Sequence, residues 1–378
     1  MKQEMEAIRN TLEIMAGYGL SQTETVDLFD VGNEQYLTYF EKEVLDDFIL
    51  NGGSTCRFYE GAYGSGKTHL LQLLNRLALK RGMVVAHTDL TQATSLEDWH
   101  VITKFILENM EADIAGEHVR SLPEILATLG RHKMFDLEAL RTALLPHAGF
   151  RNAMAYATQI SGTSEAAWYK LKDFLLGNKV GVTEFRNLGL VGIKNPLTNR
   201  NAELVLKTVM GGLYFLGFTG TMLLFDENEK TLISNRAIPT KKMKIGANFI
   251  RRLIDGCTNG NLIGTSVIFA VLPGFLENCA MTYPALGQRL QFFRGLNKPA
   301  WRWPVMPVEL VNSIKDPEDF LNQMIIRIEP LVKDLGGEFK DFREKALEAG
   351  QEVLERNAGS GYKREIIKVL AVLALRDS

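Results

Sequence analysis

Three cysteines, Cys56, Cys257 and Cys279, stand far apart in 378 residues with no C-x-x-C pair, so a zinc ribbon and a disulfide framework are both excluded. A reducing cytoplasm fits this usage best. The six histidines are dispersed without an H-x-x-x-H or H-E-x-x-H pair, which removes the usual zinc-enzyme signatures. No apolar run reaches the length of a membrane span, and the polar start MKQEMEAIRN lacks the apolar core of a secretory signal. The expectation is a cytoplasmic protein with no membrane contact. The formal net charge is only −2, so the whole molecule exerts no pull on nucleic acid and any such contact must be local. There is no low-complexity stretch and no repeat of about 20 to 50 residues, which excludes solenoids, propellers and coiled-coil arrays.

What is present is ordinary globular material, 46% hydrophobic and 23% charged, in a chain long enough for more than one domain. Short β-rich runs fall at Arg57-Phe58-Tyr59, 83–88, 222–225 and 267–272, interleaved with helical patterns such as Leu70, Leu73, Leu74 and Leu77. Strands alternating with helices imply an α/β fold with a mostly parallel sheet covered on both faces. Between 90 and 200 helical patterns dominate, for example Leu137, Leu140 and Leu144 after the capping candidate Asp136. The proline-punctuated KPAWRWPVMP (298–307) precedes three helical stretches, the last with Ile366, Val369, Leu370 and Leu373 on one face. The organisation read from this is 1–90, an N-terminal helical segment and first half of a core; 91–200, a mainly helical insertion; 201–308, the second half of the core; and 309–378, a C-terminal helical lid domain.

Gly61-Ala62-Tyr63-Gly64-Ser65-Gly66-Lys67-Thr68 satisfies G-x-x-x-x-G-K-S/T between a strand and a helix. Glycines let successive N–H groups turn around phosphate oxygens, and a helix N-terminus adds a positive dipole end. Lys67 would reach the β- and γ-phosphates and the Thr68 hydroxyl would ligate Mg²⁺. The second half of such a site needs a carboxylate at a strand end. In Met222-Leu223-Leu224-Phe225-Asp226-Glu227, Asp226 is the Mg²⁺ partner and Glu227 the general base for water. This favours an ATPase, releasing ADP and phosphate, over a small-molecule kinase.

The paired motifs resemble the additional-strand, catalytic-glutamate class of P-loop NTPases, with details similar to its AAA+ and STAND-like branches. That resemblance implies ATP as ligand, with His69 following Thr68 as in replication initiators and helicase loaders. It makes Val31 and Gly32 an adenine-contacting segment, although Asn33 stands where an arginine is frequent. It makes Arg364, in Gly361-Tyr362-Lys363-Arg364, a γ-phosphate sensor in a lid, and Arg289 or Arg294 a finger for a neighbouring copy in a homo-oligomer. Either arginine equally suits a helix cap or a carboxylate pair. A narrower resemblance, carried by RFYEGAYGSGKTHLL (57–71), GFTGTMLLFDENEK (217–230) and YPALGQRL (283–290), is to the ATP-binding proteins of BREX-type bacteriophage-exclusion systems. This implies phage defence and a partner defence protein such as a helicase. The run Ala270-Val271-Leu272-Pro273 lacks the polar residue that the class carries at that strand end, which implies slow turnover.

Seven basic residues with no acidic one between them span 230–252: Lys230, Arg236, Lys241, Lys242, Lys244, Arg251 and Arg252. DNA is one partner for such a patch; a solvated face or an acidic protein surface is another. Trp301 and Trp303 read as packing between core and lid. Two functions follow: an ATPase that works on DNA or loads a DNA-processing partner, and a nucleotide-gated scaffold whose output is protein assembly.

Overall fold

The computed structural model describes residues 2–19, 23–90, 96–159, 164–226, 239–291, 305–309, 316–336, 339–356 and 361–376. Glu227, Lys230, Arg236, Arg294, Trp301 and Trp303 lie outside the described residues. The chain divides into two compact units. One, the loop-bearing unit, gathers 1–40, 59–76 and 308–378; the other, the sheet unit, holds 41–58 and 77–307. No described helix is long and apolar enough to cross a membrane.

Seven strands form one sheet: β1 (Ser54–Glu60), β2 (Val84–Asp89), β3 (Met110–Ile114), β4 (Glu117–Arg120), β5 (Thr221–Asp226), β6 (Thr265–Val271) and β7 (Val305–Glu309). Their spatial order is β4-β3-β2-β5-β6-β1-β7. Strands β2, β5 and β6 run parallel, and every residue of β5 and β6 is buried. Continuous apolar runs such as MLLF and VIFAV behave this way because helices cover both faces of a parallel sheet. Phe269 stacks between Phe58, at 5.3 Å between ring centroids, and Phe225, at 4.7 Å, and these rings belong to one large apolar cluster in this unit.

Among its described residues the stretch read as mainly helical contains six helices, α4 (Trp99–Glu108), α5 (Leu122–His132), α6 (Leu137–Thr142), α7 (Ala148–Ala157), α8 (Glu165–Leu175) and α9 (Val182–Asn187). It also contains the β3–β4 hairpin, which joins the sheet antiparallel through Val85↔Glu111 and Ala86↔Met110. Ala115 and Gly116 form its two-residue turn at φ 51° and 86°, the left-handed pair that matches the twist of a tight hairpin. Asp136 does cap α6, accepting from the Ala139 N–H at 2.9 Å. Leu144, expected on that helix, is instead outside it and fully exposed: Ala143 turns extended, and Pro146 disfavours helical backbone just before it. Two further helices of this unit are α10 (Ala202–Phe215) and α11 (Lys241–Thr258); α12 (Phe275–Thr282) and α13 (Pro284–Gln291) follow β6.

In the loop-bearing unit, α1 (Lys2–Tyr18), a 3-10 helix (Thr23–Phe29) and α2 (Glu34–Tyr39) come first; the π-helix after α2 (Phe40–Ile49) belongs, from Glu41 on, to the sheet unit. Helix α3 (Lys67–Lys80) begins here. The three C-terminal helical stretches form α14 (Pro317–Asp334), α15 (Phe339–Arg356) and α16 (Tyr362–Arg376). A second apolar cluster joins Leu12 and Met15 of α1, Phe29 and Val31 to Met324, Ile328, Phe342, Ile366 and Leu370. Leu373 packs half-buried against it, and Val369 is half-buried on the same helix.

Candidate functional site

The loop 61–68 leaves the end of β1 and enters the N-terminus of α3, where Leu70 N–H donates to the Gly66 carbonyl at 2.9 Å. Gly64 and Gly66 stand at φ 77° and 95°, a region closed to most side chains, so the loop's course requires glycine at both points. The first N–H groups of α3 have no intrahelical acceptor by helix geometry and offer donors to an anion. Lys67 Nζ donates to the Gly61 carbonyl at 2.7 Å and to that of Ala62 at 3.1 Å, folding the ammonium over the loop. The Ser65 hydroxyl is buried without a hydrogen-bond partner among the described residues. An orphaned hydroxyl, a glycine-lined backbone and a helix N-terminus together suit phosphate oxygens.

Polar side chains tie this loop's surroundings together. His69 Nε2, on α3, lies 3.5 Å from Asp30 Oδ1, and Asp30 also accepts from Asn33 Nδ2 at 2.6 Å. Asn33, which replaces the arginine of the resembled class, thus has a local task. Val31 is buried in the apolar cluster, and Gly32, at φ 85°, donates its N–H to Glu34 at 3.2 Å. Glu34 pairs with Arg327 of α14 at 2.7 Å, and Arg76 of α3 pairs with Asp27 at 2.5 Å. Arg364, near the start of α16, donates to the Tyr63 hydroxyl of the loop and to the Tyr18 carbonyl, both at 2.8 Å. The loop-bearing unit therefore brings together Val31, Gly32, 61–69 and Arg364.

In the sheet unit, Asp226 is 4% exposed at the end of β5 and registers with Asp89 at the end of β2. Parallel strands in register finish at one level, so His87, Asp89 and Asp226 offer ligand atoms within 4.8 Å of one another. The two carboxylates are hard oxygen donors that fit Mg²⁺. Sequence reading missed His87 and Asp89; the signal was a second β-run that ends, like 222–226, on an aspartate.

Arg289 sits on α13, where its Nε donates to Asp255 at 2.9 Å and its NH1 to the Ala285 carbonyl at 3.0 Å. Asp255 also accepts from Arg251 at 3.1 Å. Arg252 pairs with Glu203, whose carboxyl is pushed up by burial but held below its ordinary value by hydrogen bonds from Lys207 and Arg252. Lys241, Lys242 and Lys244 occupy the first turn of α11, exposed and with no carboxylate partner among the described residues. The Thr240 hydroxyl caps that helix by accepting from Met243 N–H at 3.2 Å. The seven-residue basic run thus resolves into two arginines bound to carboxylates and three open lysines; Lys230 and Arg236 are outside the described residues.

The fold is a mixed α/β sheet flanked by helices, mostly parallel, and it carries a glycine-rich loop of the phosphate-binding pattern. Residues 8–128, about a third of the chain, match the family described as BREX system ATP-binding protein BrxC/D. The matched stretch takes in α1 from residue 8 on, the Val31–Gly32 segment, the loop 61–68 and the hairpin, and stops before Asp226. No curated protein matches the chain.

Proposed function

We propose that this chain is an ATP-binding and ATP-hydrolysing protein of the additional-strand, AAA+-like P-loop class, acting in bacterial defence against phage. The observation that carries the reading is the strand–loop–helix setting of 61–68, with Lys67 folded over the loop and glycines at its two left-handed positions. The sheet order supports the class, since β6 lies between the strand that leads into the loop and β5, which ends at Asp226. The family match supports ATP as the nucleotide.

Backbone N–H groups of 61–68 and Lys67 hold the phosphates, Val31 and Gly32 border the adenine, and Arg364 meets the γ-phosphate. On the motif reading, Thr68 and Asp226 are the oxygen donors for Mg²⁺, which when bound neutralises charge on the β- and γ-phosphates. Glu227 takes the proton of the attacking water. Arg289 is committed to Asp255, which leaves a finger in a homo-oligomer to Arg294. The division into 1–90, 91–200, 201–308 and 309–378 belongs to the same reading, with 91–200 as an insertion and 309–378 as a lid.

DNA, or a DNA-processing partner such as a helicase, is the proposed target. Three exposed lysines at a helix N-terminus oppose the helix dipole and cost stability there, so the cluster is best explained by an anion that meets it. A scaffold whose nucleotide state controls protein assembly is the second reading, favoured by the apolar end of β6, where Val271 offers no polar group to a water. ATP turnover with and without single- and double-stranded DNA, with Glu227→Gln as the blank, separates the two. DNA stimulation that Lys241→Glu/Lys242→Glu abolishes supports the first. Slow turnover indifferent to DNA supports the second. Turnover by Glu227→Gln at the wild-type rate contradicts the assignment of the base.

A further inference from the structure

Two separate parts of the loop-bearing unit, the end of α1 and the loop 61–68, build a seat for Arg364. Its Nε donates to the Tyr18 carbonyl at the end of α1. Its NH1 donates to the Tyr63 hydroxyl, and the guanidinium carbon lies 5.8 Å from the Tyr63 ring centroid. Under its aliphatic stem is Gly19, at φ 66°, where an added Cβ would come 2.6 Å from the Arg364 Cγ. Gly19 is thus both the left-handed end of α1, with its N–H on the Met15 carbonyl at 2.8 Å, and the floor of the seat.

Tyr63 is the third residue of the phosphate loop and is 70% exposed, so its ring is not there to fill a core. Its hydroxyl occupies one arm of the guanidinium. Lys67 Nζ also donates to two loop carbonyls. Arg364 is held by neutral oxygens, which bind a cation less strongly than a phosphate oxygen does.

We infer that Tyr63 is a positioning residue that holds Arg364 beside the loop and yields it to a γ-phosphate, and so sets how sharply the site distinguishes ATP from ADP. The inference rests on the reading of 61–68 as the ATP site. A triphosphate supplies a charged acceptor that draws the guanidinium off the phenol; a diphosphate has no γ-oxygen to do so. The Tyr63 bond must then break for ATP and not for ADP, and its cost is subtracted from the affinity for ATP alone.

Calorimetric titration of the full chain with Mg·ATP and Mg·ADP tests this in the wild type, Tyr63→Phe, Arg364→Ala and the double variant. Phenylalanine keeps the exposed ring and removes only the hydroxyl. The expected result is an ATP-to-ADP affinity ratio about 3- to 10-fold higher in Tyr63→Phe, the value of one modest hydrogen bond, and no such rise when Arg364 is alanine. A ratio that Tyr63→Phe leaves unchanged, or that rises equally in the Arg364→Ala background, overturns the inference while the nucleotide site stands. A wild-type chain that binds neither nucleotide overturns the underlying reading and the inference together.

Discussion

Each of the two units has its own apolar core, and the contacts around the loop 61–68 are of another kind. In the sheet unit the central strands are wholly buried, and the Phe58–Phe269–Phe225 stack, with interplanar angles of 13° and 12°, is apolar. In the loop-bearing unit the contacts around the candidate site are polar and long-range: Tyr63 meets Arg364 across 301 positions and Glu34 meets Arg327 across 293. Apolar packing is indifferent to a ligand's charge, whereas a cation's polar contacts, above all one to a neutral oxygen such as the Tyr63 hydroxyl, compete with an arriving anion. The ring stack of the sheet unit therefore offers an arriving anion nothing to exchange, whereas the polar contacts around the loop do.

The largest effect that would sharpen this contrast is in the sheet unit. Phe269→Ala empties the middle of the ring stack and is expected to cost about 3–5 kcal/mol of stability, read as a lowered denaturation midpoint. An unchanged midpoint would show that the stack does not carry the core. In the loop-bearing unit, His69→Ala removes the contact that ties α3 to Asp30 and the Val31–Gly32 segment. The expected loss is about 0.5–1.5 kcal/mol, seen as a several-fold weaker affinity for ATP with the melting temperature nearly constant. A large melting shift with unaltered affinity would make that contact a structural tie rather than one that serves the nucleotide.

The smallest effect is a pH dependence. Burial holds Lys363 down from the ordinary 10.5 to about 8, and its ammonium lies 5.1 Å from the Phe320 ring centroid. Between those two values the folded chain carries fewer protons than the unfolded one, so stability rises with pH through this window. Lys363→Met is expected to flatten that rise in denaturation curves at pH 8 and pH 10. An equal rise in the variant would assign it to other groups.

The same contrast explains what the sequence disclosed. Strands β2, β5 and β6 were legible because a buried strand is written as a local apolar run, and the loop 61–68 was legible because its chemistry needs glycines at fixed spacing. The β3–β4 hairpin was missed although MEADI alternates apolar and polar, since helical patterns on both sides dominate the window. Leu144 misled because helical spacing continues past the point where Pro146 stops the helix. The partners of the arginines could not be read at all: Asp255 lies 34 residues before Arg289, and nothing in local spacing joins Arg364 to Tyr63. Polar contacts between distant segments leave no periodic trace.

The central claim is that 61–68 is the nucleotide site, and titration of the wild-type chain and Lys67→Ala with Mg·ATP tests it most directly. The account predicts saturable binding by the wild type and a loss of about 10- to 100-fold in Lys67→Ala, the value of charge-assisted bonds of about 1.5–3 kcal/mol. Equal affinity in the two proteins would contradict it.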